Sequence, residues 1–500
     1  MDGTADTIAL MKEALAKAMP ATSEDLAKAF TQSNSATTGL TYYDLQAPAL
    51  TLYPVITPLR NKLPRVTGGR GIQANWKAIT VINANNISVG VSEGNRGGVL
   101  STTVVDYYAA FRTIGVEDSV TFEADLAADG FDDLKARAVQ GNLRSLMIGE
   151  EKMLLAGNGG GQALGQVGTV TLSTATTGGA LSNGTYYAAC VALTLQGYEY
   201  ATSNLGVTGQ ITRTNADGSS DTYGSGCSRA SAIASLAVAG GGAVQTLTAS
   251  VTPIKGAVAY AWFMGSANAY ASLFFAGVTS TSRYTLTGAI PGSGNVIPAD
   301  LQSNDRSTNA LHFDGFITMA AKTGSGSYWN AVSAGSTLTA DGTGGIVELD
   351  TALQWFWDNL RIAPSEIWVH AQQMLDFRKK VLTGSSNAGQ RFVFQTTQNG
   401  LVGSSVIKGY LNPFTMSGGQ EVPVNLHPNC PPGTIVFLTH ELPYSLSGVT
   451  TVNRVLCRRD YYQLEWPLRT RKYEYGVYSD QVLQCYFLPG IGVITNISPG

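Results

Sequence analysis

Charge is scarce in this chain. Lys, Arg, Asp and Glu together make up 13% of its 500 residues, against a usual share of about 25%. What charge there is sums to -3 at pH 7, so the global attraction to nucleic acid expected of a histone-like protein or a polynucleotide-processing enzyme is excluded, although local patches are not. No apolar run reaches the ~18 residues that a transmembrane helix needs. Met1, Asp2 and Gly3 do not open the basic start and apolar core of a signal peptide, so folding in the cytoplasm is expected. The five cysteines (Cys190, Cys227, Cys430, Cys457, Cys485) are odd in number, widely spaced and without a CxxC pair. That excludes a disulfide framework and a zinc finger, and leaves five buried thiols.

Catalytic signatures are also missing. The glycines of 157–161 follow a helical pattern rather than a strand, and no GKS or GKT comes after them, which excludes a phosphate-cradling loop. His312, His370, His427 and His440 lie far apart and form no HExxH, so they read as satisfied core or surface histidines. No GxSxG occurs. Asn215, Asp217, Ser219 and Asp221 alternate around Gly218 like the oxygen ligands of a calcium loop, but the bidentate Glu is absent and a solvated hairpin turn is the better reading. No catalytic residue, cofactor or metal is therefore expected, and the chain is read as a non-enzyme.

What is present is a folded chain: 44% hydrophobic residues and 57 glycines. Its length exceeds what one hydrophobic core supports, so two or more units are expected. Low charge fits a β-rich surface of small polar residues, or large areas buried against other subunits.

Ile8, Leu10, Met11, Leu15 and Met19 have helical spacing up to Pro20, and a second helix starts after Ser23. Residues 31–39 read as a joint. From 47 to 66, Pro48, Pro54, Pro58 and Pro64 punctuate an apolar strip that is expected to run extended and to find its partner on another subunit. Two β-prone runs, 75–91 and 99–114, flank the Gly/Asn-rich tip 92–98 and predict a long hairpin, which is marginal alone. Leu134, Ala138, Leu143, Leu146, Met147 and Leu154 predict a long amphipathic helix over 131–156. Residues 166–303 carry strand-like runs, few charges and Gly/Ser/Asn turns, as a β-sandwich does. Helices at 348–360 and 371–382 follow, with strands at 366–370, 434–439, 452–457, 461–466 and 482–487.

The one dense basic region is Arg454, Arg458, Arg459, Arg469, Arg471 and Lys472, interleaved with Tyr461, Tyr462, Trp466, Tyr473 and Tyr475. It could hold phosphates, with the aromatics stacking on bases. The favoured reading is a β-ladder with cross-strand pairs, and intersubunit ion pairs to Glu465, Glu474 and Asp480.

This order of elements resembles the Hong Kong 97-type fold of tailed-bacteriophage major capsid proteins. The residues that carry the likeness are the strip 52–66, the tip 90–98 with Glu93, Asn95 and Arg96, and the helix end with its glycine turn, 150–159. The resemblance implies an α+β fold with an N-terminal helical segment and extended arm (1–66) and an extended hairpin loop (67–118). A peripheral domain (119–165 and 451–500, spine helix 131–157) and an axial domain (304–450) complete it. An immunoglobulin- or fibronectin-like β-sandwich inserted at 166–303 is expected to project outward. The implied function is a major capsid protein that self-assembles as hexamers and pentamers into the icosahedral shell around phage double-stranded DNA. Its partners would be further copies of itself, a portal, possibly separate scaffold or cement proteins, and DNA by weak non-specific contact, with no membrane. Its place would be the virion, assembled in host cytoplasm. Intersubunit contacts are expected at Tyr53, Pro54, Pro58, Arg60, Lys62, Arg65, Glu93, Asn95, Arg96, Arg458, Arg459, Arg469, Arg471 and Lys472. An encapsulin-type nanocompartment shell is the alternative, and a β-rich adhesin or carbohydrate-binding protein a more distant one.

Overall fold

The computed structural model describes residues 53–129, 132–240, 242–382, 395–397, 400–402, 407–443 and 449–500. The helices expected at 7–19 and after Ser23, the joint at 31–39 and Pro48 lie outside them. The chain divides into two units: residues 1–53 with 122–135, and residues 54–121 with 136–500. In the first, the described residues include a short helix, Phe122–Ala127, an Asp125–Lys135 ion pair at 2.7 Å and the first two residues of the long helix Leu134–Ala156.

The second unit is mixed α+β. Its long helix, Leu134–Ala156, has 23 residues and so spans about 35 Å. Ala138, Leu146, Met153, Leu154 and Leu155 supply its buried stripe, as the three- and four-residue spacing requires. The helix ends before Gly157, where there is no room for a side chain: a Cβ there would lie 2.4 Å from the carbonyl oxygen of Phe313.

A four-stranded sheet runs in the order Arg65–Thr67, Asn453–Glu465, Lys472–Cys485, Arg112–Thr121. The strands expected separately at 452–457 and 461–466 are one strand, with breaks of register between Cys457 and Arg459 and between Arg459 and Tyr462. Such bulges re-aim side chains, and both do so here. A six-stranded sheet is built from Tyr328–Ala331, Ile491–Thr495, Ile435–Leu438, Glu366–Val369, Gln420–Leu426 and Gly409–Asn412, in that order. Helix Val347–Leu360 buries Leu349, Leu353 and Phe356 in the same core as Ile367, Phe437 and Ile494 of that sheet.

The middle of the chain forms a three-stranded sheet (Arg283–Leu286, Thr246–Ser250, Thr171–Ala175) and a four-stranded one (Phe274–Thr279, Ala259–Gly265, Gly184–Leu193, Ala234–Val238). On one face of the four-stranded sheet Ala188, Cys190, Ala192, Tyr260, Trp262 and Met264 share a core with Leu247 and Leu286 of the three-stranded sheet. The opposite face, with Ala189, Val191, Leu193, Ala261 and Phe263, belongs to the core that contains Leu154, Leu155 and Phe316. Two buried faces explain why these strands read as continuous apolar runs instead of alternating. The expectation of a self-contained all-β module is corrected on two counts: one face belongs to the shared core, and Leu195–Asn204 is a helix, capped by the Thr194 hydroxyl accepting from the Gly197 amide. The turn at Asn215–Ser219 closes a hairpin whose carboxylates are occupied. Asp217 accepts from Ser219, and Asp221 from Arg213 and Asn215.

All five cysteines are buried and unpaired. Replacing Gly157 with Ala forces a Cβ against two carbonyl oxygens and is expected to cost about 1–3 kcal/mol, as overpacking does; a lowered urea midpoint with unchanged m-value is the measurement.

Candidate assembly surface

Two features distinguish the N-terminal third of the described chain: an arm segment locked into the body of the chain, and a ribbon that is not.

The arm corrects the expectation of an extended strip. Pro58–Lys62 is a turn of α-helix; Pro58 occupies its first position, where the missing N–H costs nothing and the fixed φ suits a helix. Leu59 and Leu63 are buried. Around them stand three carboxylates, each with a side chain wholly removed from solvent: Glu150, Glu151 and Glu366. Glu151 accepts the backbone N–H groups of Leu59 and Arg60, both at 2.8 Å, and His427 Nε2 at 2.7 Å. His427 Nδ1 lies 3.1 Å from the Asn429 amide, which leaves Nε2 as the nitrogen that faces Glu151.

Glu150 pairs with Arg60 at 3.3 Å and Arg65 at 2.5 Å, and takes hydrogen bonds from Gln481 at 2.8 Å and from the Tyr461 hydroxyl. Glu366 is paired with Lys62 and His440. Burial pushes the Glu366 carboxyl up, but the hydrogen bonds from His440 and Lys62 outweigh it and hold it below its ordinary value. Burial likewise opposes ionisation of Asp460, and Arg65 overrides it, leaving Asp460 lowered. Arg65 sits 4.6 Å and Arg60 5.0 Å from the centre of the Tyr461 ring. Asp460 and Tyr461 fall at the second break of register in their strand, which turns both toward the arm. At the first break, Arg458 donates to the Gly71 carbonyl at 2.9 Å and lies 5.2 Å from the Phe111 ring.

Gly71 and Phe111 are the root of the ribbon. Its strands, Gln73–Ile82 and Thr102–Ala110, pair only with each other among the described residues. The expected strands 75–91 and 99–114 are thus shorter. Asn83 and Asn86 adopt positive φ of 59° and 50°, and the Asn83 side chain bonds both the N–H and the C=O of Ile87, ending the strand. Phe111 divides the second run, and Arg112–Thr121 joins the other sheet. Near the root Trp76 and Tyr107 are half-buried, their rings 6.0 Å apart and tilted by 34°. Beyond it the ribbon is bare: Ile79 is 64%, Val89 94% and Val99 83% exposed, with Val81, Ile82, Val91, Leu100, Val104 and Tyr108 also exposed.

The expected contact residues separate accordingly. Glu93, Asn95 and Arg96 are exposed at the tip, where Asn95 donates to Ser92 Oγ at 2.6 Å across a turn containing Gly94. Tyr53 and Pro54 are exposed, and Pro58 half-buried. Arg60, Lys62 and Arg65 are engaged within the chain. Arg458 pairs with Asp480 at 3.8 Å and Lys472 with Glu474 at 2.7 Å, so these pairs are intrachain. Arg459 stacks 4.1 Å from the Tyr462 ring centre; Arg469 and Arg471 are exposed, and Arg471 has a partner within the chain. Sequence reasoning missed the carboxylate trio. A signal existed: Glu150 stands four residues from both Leu146 and Leu154, on the buried stripe.

No protein-family model matches the chain, and no curated protein matches it. Among solved structures, the capsid of a native GTA particle aligns with 94% of this chain and 100% of its own at 8% identity and a TM-score of 0.45. An encapsulin complex from Synechococcus elongatus aligns over 92% and 93% at 9% identity and a TM-score of 0.39. The capsid of cyanophage P-SCSP1u aligns over 95% and 98% at 8% identity and a TM-score of 0.39.

Two expectations follow for the arm. Glu151→Ala leaves two amides and His427 without their acceptor and is expected to cost about 3–5 kcal/mol, the range for breaking a buried pair, read as a fall in urea midpoint. Because the folded value of Glu366 is depressed, its contribution is complete above the ordinary Glu value of about 4.3 and is lost as pH falls through the folded value. Asp460 acts in the same direction. Glu366→Gln is expected to lower stability at pH 7 and to flatten its decline in acid; a denaturation series from neutral to acid pH checks both.

Proposed function

We propose that the chain is the repeating subunit of an icosahedral protein shell, the major capsid protein of a tailed bacteriophage. The observation that carries this reading is the ribbon: a two-stranded sheet whose outer half is clad in exposed Ile, Val and Leu side chains. A hairpin of this kind is marginal alone, and contiguous exposed apolar surface marks an interaction site. Another copy is the occupant that the ribbon's own shape favours, since a projecting latch held at its root by Arg458 and Phe111 reaches beyond its own subunit.

Copies would close as hexamers and pentamers around packaged double-stranded DNA, with a portal and, where used, scaffold or cement proteins completing the virion. Assembly takes place in the host cytoplasm. The role is structural and non-catalytic. Apolar burial and strand pairing along the ribbon supply the affinity, while the intrachain arm lock keeps each subunit rigid enough to present it.

Paired Ile79→Asp and Val89→Asp substitutions are expected to leave the monomer folded by circular dichroism. They are also expected to cut particle yield about tenfold or more, since each apolar side chain left uncovered forfeits ~1.5–3 kcal/mol. Negative-stain electron microscopy with sedimentation reads the outcome. Undiminished particle yield overturns the reading, and particles that hold protein cargo in place of DNA redirect it to an encapsulin-type shell.

A further inference from the structure

We propose that the cavity at the root of the ribbon is a binding site for a small aliphatic carboxylate. Trp76, Tyr107 and Tyr108 of the ribbon form part of its wall, and His312, Lys322 and Leu488 of the body face them. Its volume of about 60 Å³ compares with the ~10–15 Å³ that one water occupies on this measure, so it takes a group of roughly four heavy atoms.

The polar lining carries two cations and one buried donor without an acceptor. The Trp76 indole N–H is buried and bonded to nothing. Arg112 donates from Nε to the His312 carbonyl at 3.2 Å, and the Lys322 ammonium stands 4.9 Å from the centre of the Tyr108 ring. Among the described residues neither cation has a carboxylate within ion-pair distance. Asp314, the carboxylate of the lining, accepts the amides of Gly159 at 2.9 Å and Gly161 at 3.1 Å on Oδ1, so one carboxylate stands against the two cations. The His312 ring, pushed down to about 4 by burial, adds no charge at neutral pH.

Two cations and an orphaned N–H around one aromatic-walled space call for an occupant that only accepts hydrogen bonds and carries negative charge. A carboxylate is the planar group of that kind, and a short aliphatic stem completes four heavy atoms. Binding would tie ribbon to body, because the walls come from both. The site therefore couples occupancy to the ribbon's angle. The binding claim itself stands apart from the shell reading.

Acetate is the probe, with acetamide as its uncharged isostere. Saturation-transfer NMR on the acetate methyl, using the full chain dissociated to monomers, is expected to show saturable binding with a Kd on the order of 1 mM, as suits four heavy atoms. Acetamide is expected to bind at least about tenfold more weakly, the loss for one charge-assisted contact. Lys322→Met, which keeps the aliphatic stem beside Tyr108, and Trp76→Phe, which keeps a ring, are each expected to weaken acetate by a similar factor. If either variant fails to fold, the other and the acetamide comparison still decide. No saturable acetate binding, or equal binding of acetate and acetamide, overturns the proposal. An acidic side chain from a second copy offers the same chemistry: acetate then binds monomers but is shut out of associated chains, whereas a free carboxylate ligand binds both.

Discussion

Everything near the N-terminal arm depends on the burial of three carboxylates. Glu150 and Glu151 lie in the last two turns of the long helix, where the helix dipole disfavours negative charge, and Glu366 starts a central strand of the six-stranded sheet. A buried carboxylate without partners costs several kcal/mol. The arm supplies what is lacking: two guanidinium groups, one ammonium and two backbone N–H groups within seven residues, Leu59 to Arg65. The bulged strand supplies Asp460 and Tyr461 to hold the guanidinium groups in place. Long helix, both sheets and arm are thereby tied at one point. None of the four can shift without stranding a charge.

That closure contrasts with the ribbon a few residues later. Inside the body, large side chains such as Trp262 are fully buried and even the indole N–H is met, by Thr279 at 2.8 Å. Along the ribbon, comparable apolar groups face solvent. Rigidity at the arm and exposure at the ribbon belong together. A two-stranded ribbon keeps its place only if its root is fixed, and Arg458, bonded to Gly71 beside Phe111, provides the fixing.

The middle sheets extend the same body. Alternate residues of Gly184–Leu193 point into two different cores, which makes the segment part of the structural frame as well as a surface. Its low charge follows from that double burial.

Local patterns were sufficient for much of this. Helical spacing located the long helix, the Gly/Asn cluster located the ribbon tip, and β-branched runs located most strands, because each depends on neighbours within a few residues. Pro58 misled for a local reason: proline excludes a helix interior but suits a first turn, and composition does not say which position it takes. Three things depended on residues hundreds of positions apart. Arg60 meets Tyr461, Lys62 meets Glu366 and Glu151 meets His427, so basic residues expected at intersubunit contacts are paired within the chain. Only tertiary packing decides whether a charge finds its partner within the chain, because desolvation is set by everything that closes around it. For the ribbon the sequence determined the strands and their apolar character, and the tertiary structure decided that the body covers their root and nothing in the described chain covers their outer half.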